Sequence, residues 1–182
     1  MNYAEIKNCD IANGPGVRIS LFVSGCTHHC PGCFNEVAWD FGYGRPFTED
    51  TIREILDMLK PHYIRGLTLL GGEPFEPQNQ GAVVELLRRV KEAYPEKSIW
   101  AFSGYLFDRD ILSGRLGDWK ITREYLSYLD VLVDGPFVEA KKNLSLRFRG
   151  SENQRIIDVP ASLASGTVVL WQDWQGDRKG MI

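Results

Sequence analysis

Cys26, Cys30 and Cys33 place three thiols within eight residues of a 182-residue chain that holds four cysteines in all. Thiolates are soft donors, suited to zinc or to iron and sulfur, and one compact loop can bring three of them to one inorganic centre. A structural zinc site would complete itself with His28, His29 or the distant Cys9. Zinc sites, however, commonly pair two knuckles, and no second knuckle follows. A plain ferredoxin needs four cysteines per cluster. Three cysteines without an obvious fourth point instead to a four-iron cluster with one iron left open to a substrate, and a zinc site stays open as the alternative.

Three more segments carry residue types capable of chemistry. Gly71-Gly72-Glu73-Pro74 offers glycines that let a backbone approach a ligand closely and a carboxylate that fixes a cation through charge-assisted hydrogen bonds. By itself it is also an ordinary turn between a strand and a helix. Ser103-Gly104 reads alone as a turn, and Asp134 alone reads as a helix cap. Among residues without an assigned job, Cys9 reads as a small buried side chain, His28 and His29 as exposed loop residues, and Trp171 and Trp174 as packing of a terminal strand.

The elements that must position these segments alternate. Residues 17–23 form an apolar, β-branched run after the turn Asn13-Gly14-Pro15-Gly16 and lead straight into the cysteines. Residues 48–60 show helical spacing through Ile52, Ile55, Leu56 and Leu59, with Thr48 as N-cap and Pro61 beyond the end. A strand at 67–70, a helix at about 78–93, a strand at 98–102, a partly helical stretch at 106–129 and a strand at 131–133 follow. Short strands are expected again at 156–157 and 168–170. Strand alternating with helix predicts an α/β fold of parallel βαβ units. In such sheets ligands sit at the carboxyl ends of the strands, and all four unusual segments fall there.

Composition narrows the classes further. The 21 basic and 24 acidic side chains give a net charge of −3, and no basic run supplies the footprint of a nucleic-acid binder. No apolar stretch reaches bilayer length, and residues 1–5 lack signal-peptide features, so a cytoplasmic protein that neither binds nucleic acid nor enters membranes is expected. The whole of 1–182 is expected to be one domain, with 172–182 a loose polar tail.

Cys26-Thr27-His28-His29-Cys30-Pro31-Gly32-Cys33 matches the cysteine spacing of the radical S-adenosylmethionine enzymes, and Gly71-Gly72-Glu73-Pro74 resembles their second motif. Asn13-Gly14-Pro15-Gly16-Val17-Arg18, Ser24-Gly25-Cys26 and Cys33-Phe34-Asn35 narrow the resemblance to activating enzymes of glycyl-radical proteins. Arg149-Gly150-Ser151-x-Asn153-Gln154-Arg155 is similar to a motif of those that serve anaerobic ribonucleotide reductase. The resemblance covers about residues 6–158.

It implies a [4Fe-4S] cluster on Cys26, Cys30 and Cys33, with S-adenosylmethionine chelated at the open iron and cleaved by one electron. The 5′-deoxyadenosyl radical then takes hydrogen from a glycine of the partner reductase. Glu73, with Gly71 and Gly72, would meet the ligand's ammonium. Gly32 and Phe34 would touch adenine in place of the aromatic that many relatives carry before the third cysteine, ordinary core packing being the alternative for Phe34. Ser103 and Asp134 would line the ribose and methionine ends. The motif match would set Arg149 and Arg155 in the pocket or at the partner-binding edge, a solvated face being the alternative. An electron donor such as flavodoxin or ferredoxin is implied. Other targets consistent with the same chemistry are pyruvate formate-lyase or another peptide; a structural zinc protein and a simple electron carrier are the readings from other classes. A full barrel needs about 250 residues, so the expected fold is a partial, open parallel (β/α) barrel whose open side admits a loop of a large protein.

Overall fold

The computed structural model describes residues 1–172, so the expected tail lies outside the described residues except for Gln172, as does Trp174. Seven strands form one sheet: β1 (Asn2–Asp10), β2 (Val17–Val23), β3 (Arg45–Pro46), β4 (Ile64–Gly71), β5 (Ser98–Ser103), β6 (Val131–Asp134) and β7 (Arg155–Asp158), in the order β3-β1-β2-β4-β5-β6-β7. The central four, β2, β4, β5 and β6, are parallel and follow chain order. Both flanks run antiparallel, β1 on β2, β3 on β1 and β7 on β6. The α/β class and an unclosed sheet are as expected, and the correction is that the sheet is mixed, its parallel centre carrying antiparallel flanks. The reason lies in the connections. Antiparallel neighbours need only a return loop, and residues 11–16 and 135–154 supply loops without the crossover helix that parallel pairing demands.

Among the described residues four α-helices accompany the strands: α1 (Glu49–Leu59), α2 (Pro77–Ala93), α3 (Trp119–Tyr128) and α4 (Val159–Ser165). α1 begins as expected, with Thr48 and Thr51 forming a reciprocal capping box. Successive strand residues point to opposite faces. On one face Ile19, Leu21, Val23, Leu67, Leu69, Ile99, Ala101 and Leu132 bury against the apolar sides of α1, α2 and α3. The opposite face carries Arg18, Thr68, Leu70, Trp100, Phe102, Val133 and, on β7, Ile156, and among the described residues Phe148 and Trp171 pack over its apolar cluster. Arg18 is fully buried there, donating to Thr68 Oγ1 (2.7 Å), Ser98 Oγ (2.9 Å) and the carbonyls of Leu67 and Ser98. Those bonds offset its desolvation and tie β2 to β4 and β5.

Several local expectations change. β1, β3 and α4 carry no clear periodic pattern in the sequence, and they form through pairing with and packing on their neighbours. Residues 168–170 make only an isolated bridge, Leu170 to Ile157. Cys9 is exposed rather than buried, with a positive φ of 58° at an irregular point of the β1–β2 register. Trp171 packs edge-on against Trp100 at 5.1 Å. No helix among the described residues is long and apolar enough to cross a membrane.

Candidate functional site

The carboxyl ends of the four parallel strands meet at one cavity of about 530 Å³, a size that suits a small-molecule ligand. Gly71 and Gly72 explain why two loops come so close there. A Cβ on Gly71, whose φ is +112°, would stand 2.6 Å from the Val23 nitrogen, and one on Gly72 would stand 2.5 Å from the Gly25 carbonyl. With no side chains between them, Gly72 N–H donates to the Val23 carbonyl and Glu73 N–H to that of Gly25, each at 2.7 Å. The Gly-Gly-Glu-Pro turn is thereby stitched to the strand end that launches the cysteines.

Cys26, Cys30 and Cys33 all line the cavity. Each sulfur accepts backbone N–H: Cys26 from His28 and His29, Cys30 from Phe137, and Cys33 from Asn35 at 3.4 Å. Such bonds are what a thiolate ligand retains beside its metal. Burial pushes the Cys26 thiol up to about 12, against the pull of its two N–H donors, and burial also raises Cys30. A buried thiolate therefore needs a compensating cation, which a metal centre provides. Among the described residues no three His, Cys, Asp or Glu side chains are gathered tightly enough for one metal ion. All three thiols line one cavity, as the ligands of a shared polynuclear cluster must.

Gly32, Phe34, Gly71, Gly72, Glu73 and Ser103 line the same cavity. Phe34 is 83% exposed, which removes core packing as its role. Glu73 is buried, its Oε1 accepting from Phe75 N–H (2.8 Å) and its Oε2 from Gly104 N–H (2.7 Å), with His28 Nε2 at 2.9 Å. His28 is accordingly not the exposed loop residue that its setting in the sequence implies. Its ring packs on Tyr105 at 4.3 Å. Burial opposes its charged form, and the bond and charge of Glu73 outweigh that, raising its pKa. His29 is exposed and stacks on Trp39.

Asp134 stands apart. It is fully buried and outside the cavity lining, its carboxylate taken by the Phe107 N–H (2.8 Å) and by Arg155, which also reaches Asp108 at 2.7 Å. Its neighbour Gly135 does line the cavity. The Arg-Gly-Ser-x-Asn-Gln-Arg segment folds onto that same loop: Gln154 donates to the Gly135 carbonyl, Asn153 to that of Pro136, and the Ser151 hydroxyl accepts from Val138 N–H. Arg149 donates to the Gln154 carbonyl at 2.6 Å and lines the wall beside Leu144, Leu146 and Phe148.

A family model described as a 4Fe-4S single cluster domain matches residues 12–157. The relatives include proteins named anaerobic ribonucleoside-triphosphate reductase-activating protein. The protein of Enterobacteria phage T4 is 44% identical over 86% of this chain and 93% of its own length. That of Pasteurella multocida is 43% identical over 86% and 96%, and that of Escherichia coli 40% identical over 85% and 96%. This chain belongs to the anaerobic ribonucleoside-triphosphate reductase-activating protein family. The match spans the cysteine loop, the Gly-Gly-Glu-Pro turn and the Arg-Gly-Ser segment together. The chain thus carries the family's iron–sulfur domain, with its three candidate ligands lining the cavity.

Sequence reasoning missed Glu76 and Thr27, which clasp one another beneath the cysteine loop, and Leu144 and Phe148, which form the far wall. Glu76 left one readable signal: it opens a helix at a position where Ser, Thr, Asp and Asn are favoured. The far wall left none, because only tertiary folding brings it to the cavity.

Proposed function

We propose that this chain installs a glycyl radical on an anaerobic ribonucleoside-triphosphate reductase, Cys26, Cys30 and Cys33 holding a [4Fe-4S] cluster and the adjoining cavity holding S-adenosylmethionine. The carrying observation is that nine of the ten residues singled out in the sequence line one cavity at the strand ends, in a chain whose relatives bear that activating name. When bound, the cluster and its ligand supply one-electron cleavage of the sulfonium and a radical able to take hydrogen from glycine.

The residues of the chain bind, orient and shield. A carboxylate has about four lone-pair positions, and Glu73 has three donors, so it keeps one acceptor position for the ligand's ammonium. Gly71 and Gly72 leave backbone within reach of the same group. Gly32 and Phe34 would meet adenine and Ser103 the ribose, all three lining the cavity. Asp134 acts at one remove: its carboxylate is used by Arg155 and Phe107, and it holds Gly135 in the wall. The parallel order of β2, β4, β5 and β6, with α1, α2 and α3 on one face, supports reading the fold as a partial, open radical S-adenosylmethionine barrel. On that reading the exposed Phe34 and Leu144 flank the opening through which the reductase segment approaches. A small electron donor such as flavodoxin or ferredoxin serves the cluster, in the cytoplasm, where thiols stay reduced.

The test is anaerobic reconstitution with iron and sulfide, reduction, and addition of S-adenosylmethionine with the reductase of the same organism. Release of 5′-deoxyadenosine and a glycyl-radical signal in electron paramagnetic resonance are expected. Stoichiometric zinc with no cleavage after reduction overturns the reading.

A further inference from the structure

Glu76 occupies the N-cap position of α2 and makes no cap hydrogen bond with its side chain. It is 4% exposed, a costly setting for a carboxylate. What its Oε1 accepts is the Thr27 N–H at 2.8 Å and the Thr27 hydroxyl at 2.6 Å. Thr27 follows Cys26 directly, and the next two N–H groups in the chain, those of His28 and His29, bond the Cys26 sulfur. The Tyr105 hydroxyl, 3.5 Å from Thr27 Oγ1, closes the side of the clasp. Glu76 therefore forgoes a helix cap to hold the one peptide from which the cysteine loop turns back over its first ligand. Thr27 donates from neutral groups, so these bonds do not themselves neutralise Glu76, whose charge also acts on His28.

We propose that Glu76 is a positioning residue of the metal centre: through Thr27 it fixes the turn after Cys26, and its charge beneath that turn holds the cluster's reduction potential down. The inference rests on the cluster reading above. An added electron makes the cluster more negative, and a carboxylate close by in a buried setting opposes it. Glu76 Oε1 lies within hydrogen-bond distance of Thr27, the residue directly after Cys26, which sets its charge close to the first ligand.

The experiment compares full-length wild type, Glu76→Gln, Thr27→Val and Thr27→Ser after anaerobic reconstitution. It reads iron and sulfide content, the thermal midpoint of the apo chain, and a redox titration followed by electron paramagnetic resonance without S-adenosylmethionine. Glu76→Gln keeps an acceptor for Thr27 and removes the charge. It is expected to raise the reduced-to-oxidised ratio at a fixed potential roughly tenfold, about 59 mV for one electron, with the apo midpoint unchanged. Thr27→Val should lower cluster content and broaden the reduced signal, and Thr27→Ser should restore both. Superimposable titrations for wild type and Glu76→Gln overturn the inference. If Glu76→Gln does not fold, a Thr27→Val protein with wild-type cluster content and signal overturns it instead. A wild type that builds no cluster sinks the functional reading itself, so the two failures are distinct.

Discussion

The two faces of the sheet are made from alternate residues of the same strands and do different work. On the helix-covered face, β4 contributes Leu67 and Leu69, both fully buried among the side chains of α1 and α2. On the other face the same strand presents Thr68, bonded to the Arg18 guanidinium, and Leu70, which lines the cavity. β5 repeats the division, with Ile99 and Ala101 inward to the helices and Trp100 and Phe102 on the open side. The closed face is apolar and continuous. The open face mixes a buried cation, hydroxyls and aromatics with a rim of thiols and glycines. One side of each strand therefore holds the fold and the other holds the chemistry, and substitutions one residue apart should separate the two.

The largest effect belongs to the rim. Replacing any one of Cys26, Cys30 or Cys33 with Ala should abolish cluster assembly, measured as iron and sulfide per chain, while the apo chain melts near wild type. Cys9→Ala, at an exposed site on β1, should assemble the cluster normally. Unfolding of the apo Cys26→Ala protein would break the separation between faces.

Next comes the closed face. Leu69→Ala leaves a void under the helices and should cost about 2–5 kcal/mol in denaturant unfolding, with cluster content retained under folding conditions. Leu70→Ala, one residue on, opens only into an existing cavity. It should cost less and instead weaken S-adenosylmethionine binding, followed by calorimetry on the reconstituted protein. Equal stability losses at the two positions would deny that the faces differ.

Arg155→Met probes the wall between the faces. It leaves Asp134 buried beside the Phe107 N–H donor and should cost on the order of 3 kcal/mol, as breaking one side of a buried pair does. Arg155→Lys should recover only part, since one ammonium cannot bridge Asp134 and Asp108 with the guanidinium's planar fork.

The smallest effect is a pH dependence. The hydrogen bond from Arg155 holds the Asp108 carboxyl below its ordinary range. A depressed folded-state pKa contributes stability that is present above the unfolded value, near 3.9, and is lost as pH falls through the folded value. Asp108 is partly solvated, so Asp108→Asn should cost less than about 1 kcal/mol at pH 7. The difference from wild type should shrink as pH falls below the unfolded value, checked by comparing unfolding at pH 7 and pH 3.

Much of this was legible in the chain. β2, α1, α2 and β5 follow from runs and periodicities that local physics enforces: apolar β-branched segments, 3.6-residue spacing and a Thr48 cap. β1 was not legible, because a strand with one partly exposed edge carries Glu5, Lys7 and Asn8 without apolar alternation. His28 and Cys9 exchanged their expected settings for a related reason. Burial of a lone polar or sulfur side chain depends on what the neighbouring elements bring, here Glu73 and Tyr105 for His28 and an irregular strand pairing for Cys9.

By itself the sequence determined the metal-binding loop, the ligand-facing turns and their common rim. Thiol spacing, paired glycines and strand-to-helix alternation act over a few residues, and chain order in a parallel sheet sends such loops to one end. Only the tertiary structure decided the rest. Residues 49 apart, Thr27 and Glu76, share a proton donor and acceptor. Asp134 gives its carboxylate to an arginine on β7 rather than to the cavity. The Arg-Gly-Ser segment closes the far wall. Those outcomes rest on long-range contacts between buried polar groups, each of which must find a partner wherever the fold brings one, and no local pattern records which partner that is.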